Sequence, residues 1–99
     1  MELIDEIEEL IMMHQEGSYW DFKREWYDDS KDGDLLIDII CMANNLVDRD
    51  AYIIIGVNEE CDYAIYDVSQ DANRRNTQML TDFIRGKKFA GDFRPVVTV

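Results

Sequence analysis

Ala51-Tyr52-Ile53-Ile54-Ile55-Gly56-Val57 is the most apolar and most β-branched window of the chain, and the remaining sequence can be arranged around it. It lacks polar alternation. Successive side chains of a strand point to opposite faces, so a run of this kind suits a central strand covered on both sides. Three consecutive isoleucines lose rotamer freedom in a helix, and a window bounded by Asp50 and Asn58 is of strand length. Gly56, near the end of the run, permits close approach of backbone or of a partner.

Upstream, Leu3, Ile4, Ile7, Leu10 and Ile11 recur at helical spacing among Glu2, Asp5, Glu6, Glu8 and Glu9, which predicts an amphipathic helix ending near His14. From Ser18 to Trp26 the pattern alternates. Trp20, Phe22 and Trp26 fall on one side, and Tyr19, Asp21, Lys23 and Glu25 on the other, as in a strand with one buried face. Asp21 and Lys23 then sit about 7 Å apart along that second face. A polar turn leads to Leu35, Leu36, Ile39, Ile40, Met42, Ala43 and Leu46, a broad apolar helix face with Asp34 placed to cap it, fraying at Asn44-Asn45 and stopping by Asp48. After the central run, Tyr63 to Tyr66 reads as a short antiparallel strand. A third helix is expected from a start within Ser69 to Asn73 through Met79, Leu80, Phe83 and Ile84 to Arg85. A loop carrying Lys87, Lys88 and Phe89 follows it. Pro95 then precedes Val96-Val97-Thr98-Val99, a β-prone run that stops where the sequence stops and so suggests the N-terminal piece of a longer protein. The expectation is one domain over residues 1–99, of α/β (α+β) class. A small mixed or antiparallel sheet is centred on residues 51–57, with helices packed on it and the first helix as an N-terminal addition.

The chain has 99 residues and is 46% apolar and 11% aromatic, enough for a packed core, and no window approaches the roughly 20 apolar residues of a membrane span. The acidic start lacks the basic and apolar regions of a signal peptide, so a cytoplasmic protein with no membrane attachment is expected. Cys41 and Cys61 have neither zinc-site nor redox-pair spacing and are read as free thiols. Net charge is −12, which repels polyanions. Its distribution is uneven: residues 1–73 hold 20 acidic and 4 basic side chains, whereas residues 74–99 hold 2 acidic and 6 basic. An anionic ligand would approach that last third most easily, through Arg74, Arg75, Arg85, Lys87, Lys88 and Arg94.

The common phosphate-loop, dinucleotide, zinc-protease and serine-hydrolase motifs are absent. His14 is the single histidine and reads as a boundary residue at a helix end. What remains is a polar cluster: Glu16, Asp21 and Lys23 on one side, Asn58, Glu59 and Glu60 after the central strand on the other. Two adjacent strands could bring these acids together, and hard divalent cations such as Mg or Mn prefer carboxylate oxygens. In a chain with 22 acidic residues carboxylates also meet by chance, and a solvated face is the plainer reading of the acids alone.

Three blocks carry a family resemblance: Glu16-Gly17-Ser18-Tyr19-Trp20-Asp21-Phe22-Lys23, then Ile39-Ile40-Cys41-Met42-Ala43-Asn44, then Tyr52-Ile53-Ile54-Ile55-Gly56-Val57-Asn58-Glu59. Their order and spacing resemble the Schlafen-type AlbA-like domain, found in the animal Schlafen proteins and in bacterial proteins often labelled DNA-binding or ATP-binding regulators. The family pattern has Glu before Phe-Lys where Asp21 stands, and Gly-Gly where Asp50-Ala51 stands. In the family's nucleases two acids on the first strand and one after Gly-Val form a metal-dependent RNA-cleaving site. The resemblance carries those roles to Glu16, Asp21 and either Asn58 or Glu59, an Asn leaving Glu59 to substitute from a different direction.

Three functions are therefore expected in contest. The first is a DNA- or RNA-binding module of a bacterial transcriptional regulator, contacting phosphates through the six late bases. A second is a metal-dependent endoribonuclease, with Glu16, Asp21 and Glu59 as ligands and Lys23 steadying the phosphate. The third is an acidic interaction or homo-oligomerisation domain presenting Tyr19, Trp20, Trp26 and Phe89.

Overall fold

The computed structural model describes residues 2–44, 49–87 and 96–99 of the chain. Asn45, Leu46, Asp48, Lys88, Phe89, Arg94 and Pro95, all drawn into the sequence reading, lie outside the described residues. In chain order the elements are α1 (Leu3–Met12), β1 (Trp20–Lys23), α2 (Asp32–Ala43), β2 (Tyr52–Ile55), β3 (Val57–Asn58), β4 (Ala64–Ile65) and α3 (Thr77–Arg85). Short 3-10 turns precede α2 at Asp29–Lys31 and follow β3 at Glu59–Cys61.

β1 and β2 pair in parallel, with Trp20 opposite Tyr52 and Lys23 opposite Ile55. Parallel neighbours need a long crossover, and α2 lies within it. β3 and β4 form a separate antiparallel pair, Val57 opposite Ile65. The α+β class holds, with small two-stranded sheets of both senses. The window read as one strand is divided at Gly56, whose φ is 103°. Its N–H donates to the Lys23 carbonyl and its own carbonyl accepts from the Tyr66 N–H, both at 2.7 Å, so the chain leaves β1 and takes up β4 at this residue. Glycine enters that backbone region without penalty, and a Cβ here would stand 2.7 Å from the Tyr66 carbonyl oxygen.

The central run is covered on both sides, as its lack of alternation required. On one side Trp20, Phe22, Ile54 and Val57 pack with Leu10 of α1, and Ile7 and Ile11 close the edge. On the other, Ile53 meets a core of Tyr27, Leu35, Ile39, Leu80 and Ile84 supplied by α2, α3 and the segment after β1. Burying a side chain such as Leu10 contributes about 1.5–3 kcal/mol, which is what holds α1 on the sheet. Arg49 adds a polar tie: its guanidinium lies 4.1 Å from the Tyr19 ring centre and donates to Glu6 of α1 at 2.5 Å. Leu3 and Ile4, counted in the apolar stripe of α1, remain exposed because the sheet does not reach them.

Several boundaries differ from expectation for local reasons. β1 stops at Lys23, and the Trp26 N–H donates to Asp71, drawing the chain off the sheet, so Trp26 packs in the second core and not beside Trp20 and Phe22. Asp34 lies inside the first turn of α2, whose N-cap, Lys31, makes no side-chain capping bond; the side-chain cap belongs to the preceding 3-10 turn, where Asp28 accepts from the Ser30 N–H. Residues 69–73 are turns built by Asp67 and Asp71, which accept from the N–H groups of Ser69 and Asn73. α3 therefore starts at Thr77, capped by Asn76, whose amide oxygen accepts from the Met79 N–H at 2.8 Å. Residues 96–99 are not a strand among the described residues: Val97 packs into the second core and the Val99 N–H donates to the Thr77 hydroxyl.

Candidate functional site

Three carboxylates reach one place by three different local devices. α1 ends just before His14, which turns the chain with a left-handed φ of 51°. The Trp20 indole N–H then donates to the Gln15 carbonyl at 2.8 Å, and the Gly17 N–H to the Trp20 carbonyl at 3.3 Å. The chain at Gly17 lies so close to the Trp20 ring that an added Cβ would overlap it. Glu16 is thereby fixed in the turn that leads into β1. Asp21 is the second residue of β1, on the face opposite Trp20 and Phe22, and its side chain is only 14% exposed. Glu59 begins the 3-10 turn after β3, where the Asn58 amide oxygen accepts from the Glu60 N–H at 3.1 Å. Asn58 thus caps the turn, and the next residue carries the acid. One carboxylate oxygen from each of Glu16, Asp21 and Glu59 lies within 4.8 Å of the others.

The charge in this cluster is under strain. Burial, and then a hydrogen bond shared with Glu16, hold the Asp21 carboxyl above its ordinary pKa, while the Lys23 ammonium pulls the other way. Lys23 Nζ stands 3.3 Å from Asp21 Oδ2 and 3.5 Å from Asp38 Oδ2. Burial by itself would lower Lys23, but the two carboxylates outweigh it and keep the ammonium charged. Tyr27 completes the chain of contacts, its hydroxyl donating to Asp38 at 2.5 Å. Burial and that hydrogen bond push the phenol well above its usual range, so it acts as a neutral donor.

Asp38 and Tyr27 were not singled out in the sequence. The available signal was a carboxylate set among Leu35, Leu36, Ile37, Ile39 and Ile40, a position that otherwise continues an apolar run. A half-buried charge of that sort calls for a partner, and here the partners are Lys23 and Tyr27.

The six late bases do not form one free patch among the described residues. Arg75 is 11% exposed, bonds Asp32 at 2.6 Å and lies over the Phe83 ring, so it ties the start of α2 to α3. Arg74 donates to the Ser69 carbonyl at 3.3 Å, Arg85 sits 4.0 Å from Asp82, and Lys87 covers the other contact with Phe83. Lys88 and Arg94 are outside the described residues. Of the aromatics expected to face a partner, Trp20 is buried and Tyr19 is covered by Arg49. Both cysteines are free and exposed, and among the described residues no helix is long and apolar enough to cross a membrane.

No curated protein and no solved structure matches the chain. A family model described as Schlafen, AlbA_2 does, over residues 16–96. The match opens on Glu16 and takes in Asp21, Lys23 and Glu59, leaving α1 outside it. The chain therefore belongs to the Schlafen AlbA_2 family, a membership that points to a nucleic-acid-related function.

Proposed function

We propose that this domain is a divalent-metal-dependent nuclease that cleaves RNA. The observation that carries the reading is the convergence of Glu16, Asp21 and Glu59 within 4.8 Å from three separate segments. The donor set fits Mg or Mn: all three ligands are hard carboxylate oxygens. The spacing fits as well, since two oxygens each about 2.1 Å from Mg are at most about 4.2 Å apart, within a small side-chain adjustment of what is seen. The raised Asp21 pKa also supports it, because a cluster that resists losing its last proton gains most from a cation.

When bound, such a cation supplies Lewis-acid stabilisation of charge on a phosphodiester. The chain's own groups do the rest. Glu16, Asp21 and Glu59 would hold the ion, and the Lys23 ammonium, kept charged by Asp21 and Asp38, is placed to pair with a non-bridging phosphate oxygen. Asp38, fixed by Tyr27, limits where that ammonium can go. The test is incubation of structured RNA with Mn or Mg, with a Glu16→Gln/Asp21→Asn double variant beside the wild type. Loss of cleavage by at least about 100-fold in the variant is expected, and equal cleavage by the two proteins rejects the proposal.

Binding without cleavage, as a DNA-binding module of a regulator, is the second reading. It is favoured by the exposed bases Arg74 and Arg85 near the two ends of α3. Its mark is nucleic-acid affinity that falls steeply with salt and survives the double variant, but is lost on reversing Arg85, Lys87 and Lys88 together.

A further inference from the structure

A cleft of about 570 Å³ lies beside the carboxylate cluster and shares Lys23 with it. One wall is the chain leaving β1, with Arg24, Trp26 and Tyr27; the other is the start and outer face of α2, with Lys31, Asp34 and Asp38. We infer that this cleft binds one unpaired nucleotide of a single-stranded nucleic acid, next to the phosphate held at Glu16, Asp21 and Glu59. Its place beside a scissile phosphate rests on the nuclease reading; its capacity to bind does not.

The volume falls within the roughly 300–1,000 Å³ of pockets that bury a small ligand. Lys23 is shared with Asp21 and Asp38, and the cleft's other two cations are the accessible ones, Arg24 resting 5.9 Å from the Tyr66 ring centre. Neither Arg24 nor Lys31 forms an ion pair among the described residues, unlike Arg49, Arg75 and Arg85. Two of the carboxylates around them are already engaged: Asp38 by Lys23 and Tyr27, Asp28 by the N–H and hydroxyl of Ser30. Glu25 and Asp34 remain as acceptors for the amino groups of a base. Half-buried Trp26 offers a stacking surface, and stacking requires a base whose faces are not already covered, which selects single strands over duplex. Arg24, Lys31 and Lys23 thus give the phosphates a route that the count of late bases passed over.

The cleft is tested with a single-stranded adenylate hexamer in EDTA at low salt, followed by tryptophan fluorescence. Trp20 is 7% exposed and gives a constant background, so quenching reports on Trp26. Saturable quenching is expected, with affinity at least about tenfold lower in an Arg24→Glu/Lys31→Glu variant, whose exposed positions spare the fold. A Trp26→Phe variant with unchanged circular dichroism should lose the signal. Absence of quenching, or wild-type affinity in the charge variant, overturns the inference. The neighbouring proposal fails separately: metal-dependent cleavage lost in Glu16→Gln/Asp21→Asn but indifferent to the charge variant rejects the cleft and leaves the nuclease, whereas charge-dependent hexamer binding by a protein that never cleaves does the reverse.

Discussion

At the junction of α2 and α3, charge is matched: the Arg75 guanidinium sits on Asp32 at 2.6 Å, over the Phe83 ring, and is almost withdrawn from solvent. Around Asp21 it is not. There three carboxylates crowd within 4.8 Å, the central one is held above its ordinary pKa, and the neighbouring cation, Lys23, is shared with Asp38. Asp21 and Arg75, the central residues of the two regions, are withdrawn from solvent to a similar degree, so their difference is not one of burial. A charge pair that serves the fold brings its counter-charge with it, while a site that serves a ligand leaves the balance for the ligand to supply.

The contrast can be broken most forcefully through activity. If the unmatched cluster is the working one, cleavage falls at least about 100-fold in Glu16→Gln/Asp21→Asn and changes little in Arg75→Met, measured on the same RNA. Stability should run the opposite way. Arg75→Met, by leaving Asp32 beside Asp29 without its partner, is expected to lower unfolding stability by about 1 kcal/mol in urea titration, whereas Asp21→Asn without metal should raise it. A loss of stability in Asp21→Asn would mean that its charge is balanced after all.

The smallest expected effect is on pH dependence, and its sign is set by Asp21. Its folded pKa lies above the unfolded value, so over that interval the folded state binds more protons than the unfolded state, and Asp21 subtracts stability as pH rises through it. Asp28 behaves oppositely: bonds from Ser30 hold it below its ordinary value, and its contribution is lost as pH falls. Subtracting the Asp21→Asn stability profile from that of the wild type isolates the first effect as a decline from acid toward neutral pH. A difference profile that rises with pH would contradict it.

The core of this arrangement was legible because it is local. The Ile53-Ile54-Ile55 run, the alternation of Trp20 and Phe22 and the helical spacing of Leu10 and Ile84 each fix a periodicity that packing then satisfies. The division of the central window was less visible, since one glycine in a strand signals close approach without saying which backbone approaches; here it is Tyr66. The turns of residues 69–73 were read as helix because Asp67 and Asp71 act through hydrogen bonds that spacing does not encode. At the site, Glu16, Asp21 and Glu59 were reachable through short motifs. Asp38 and Tyr27 join Lys23 only because α2 folds back onto the β1–β2 sheet, a tertiary contact with no sequence signature beyond one acid in an apolar run.

Whether the three carboxylates act together on a cation is read by isothermal titration with Mn, without reference to any substrate. The wild type is expected to bind one Mn, with thermal stabilisation of about 2.7 kcal/mol when Mn is present at 100 times its dissociation constant. Glu16→Gln/Asp21→Asn should lose both the binding and the stabilisation while remaining folded. The same heat of binding in the wild type and the folded double variant would contradict the site.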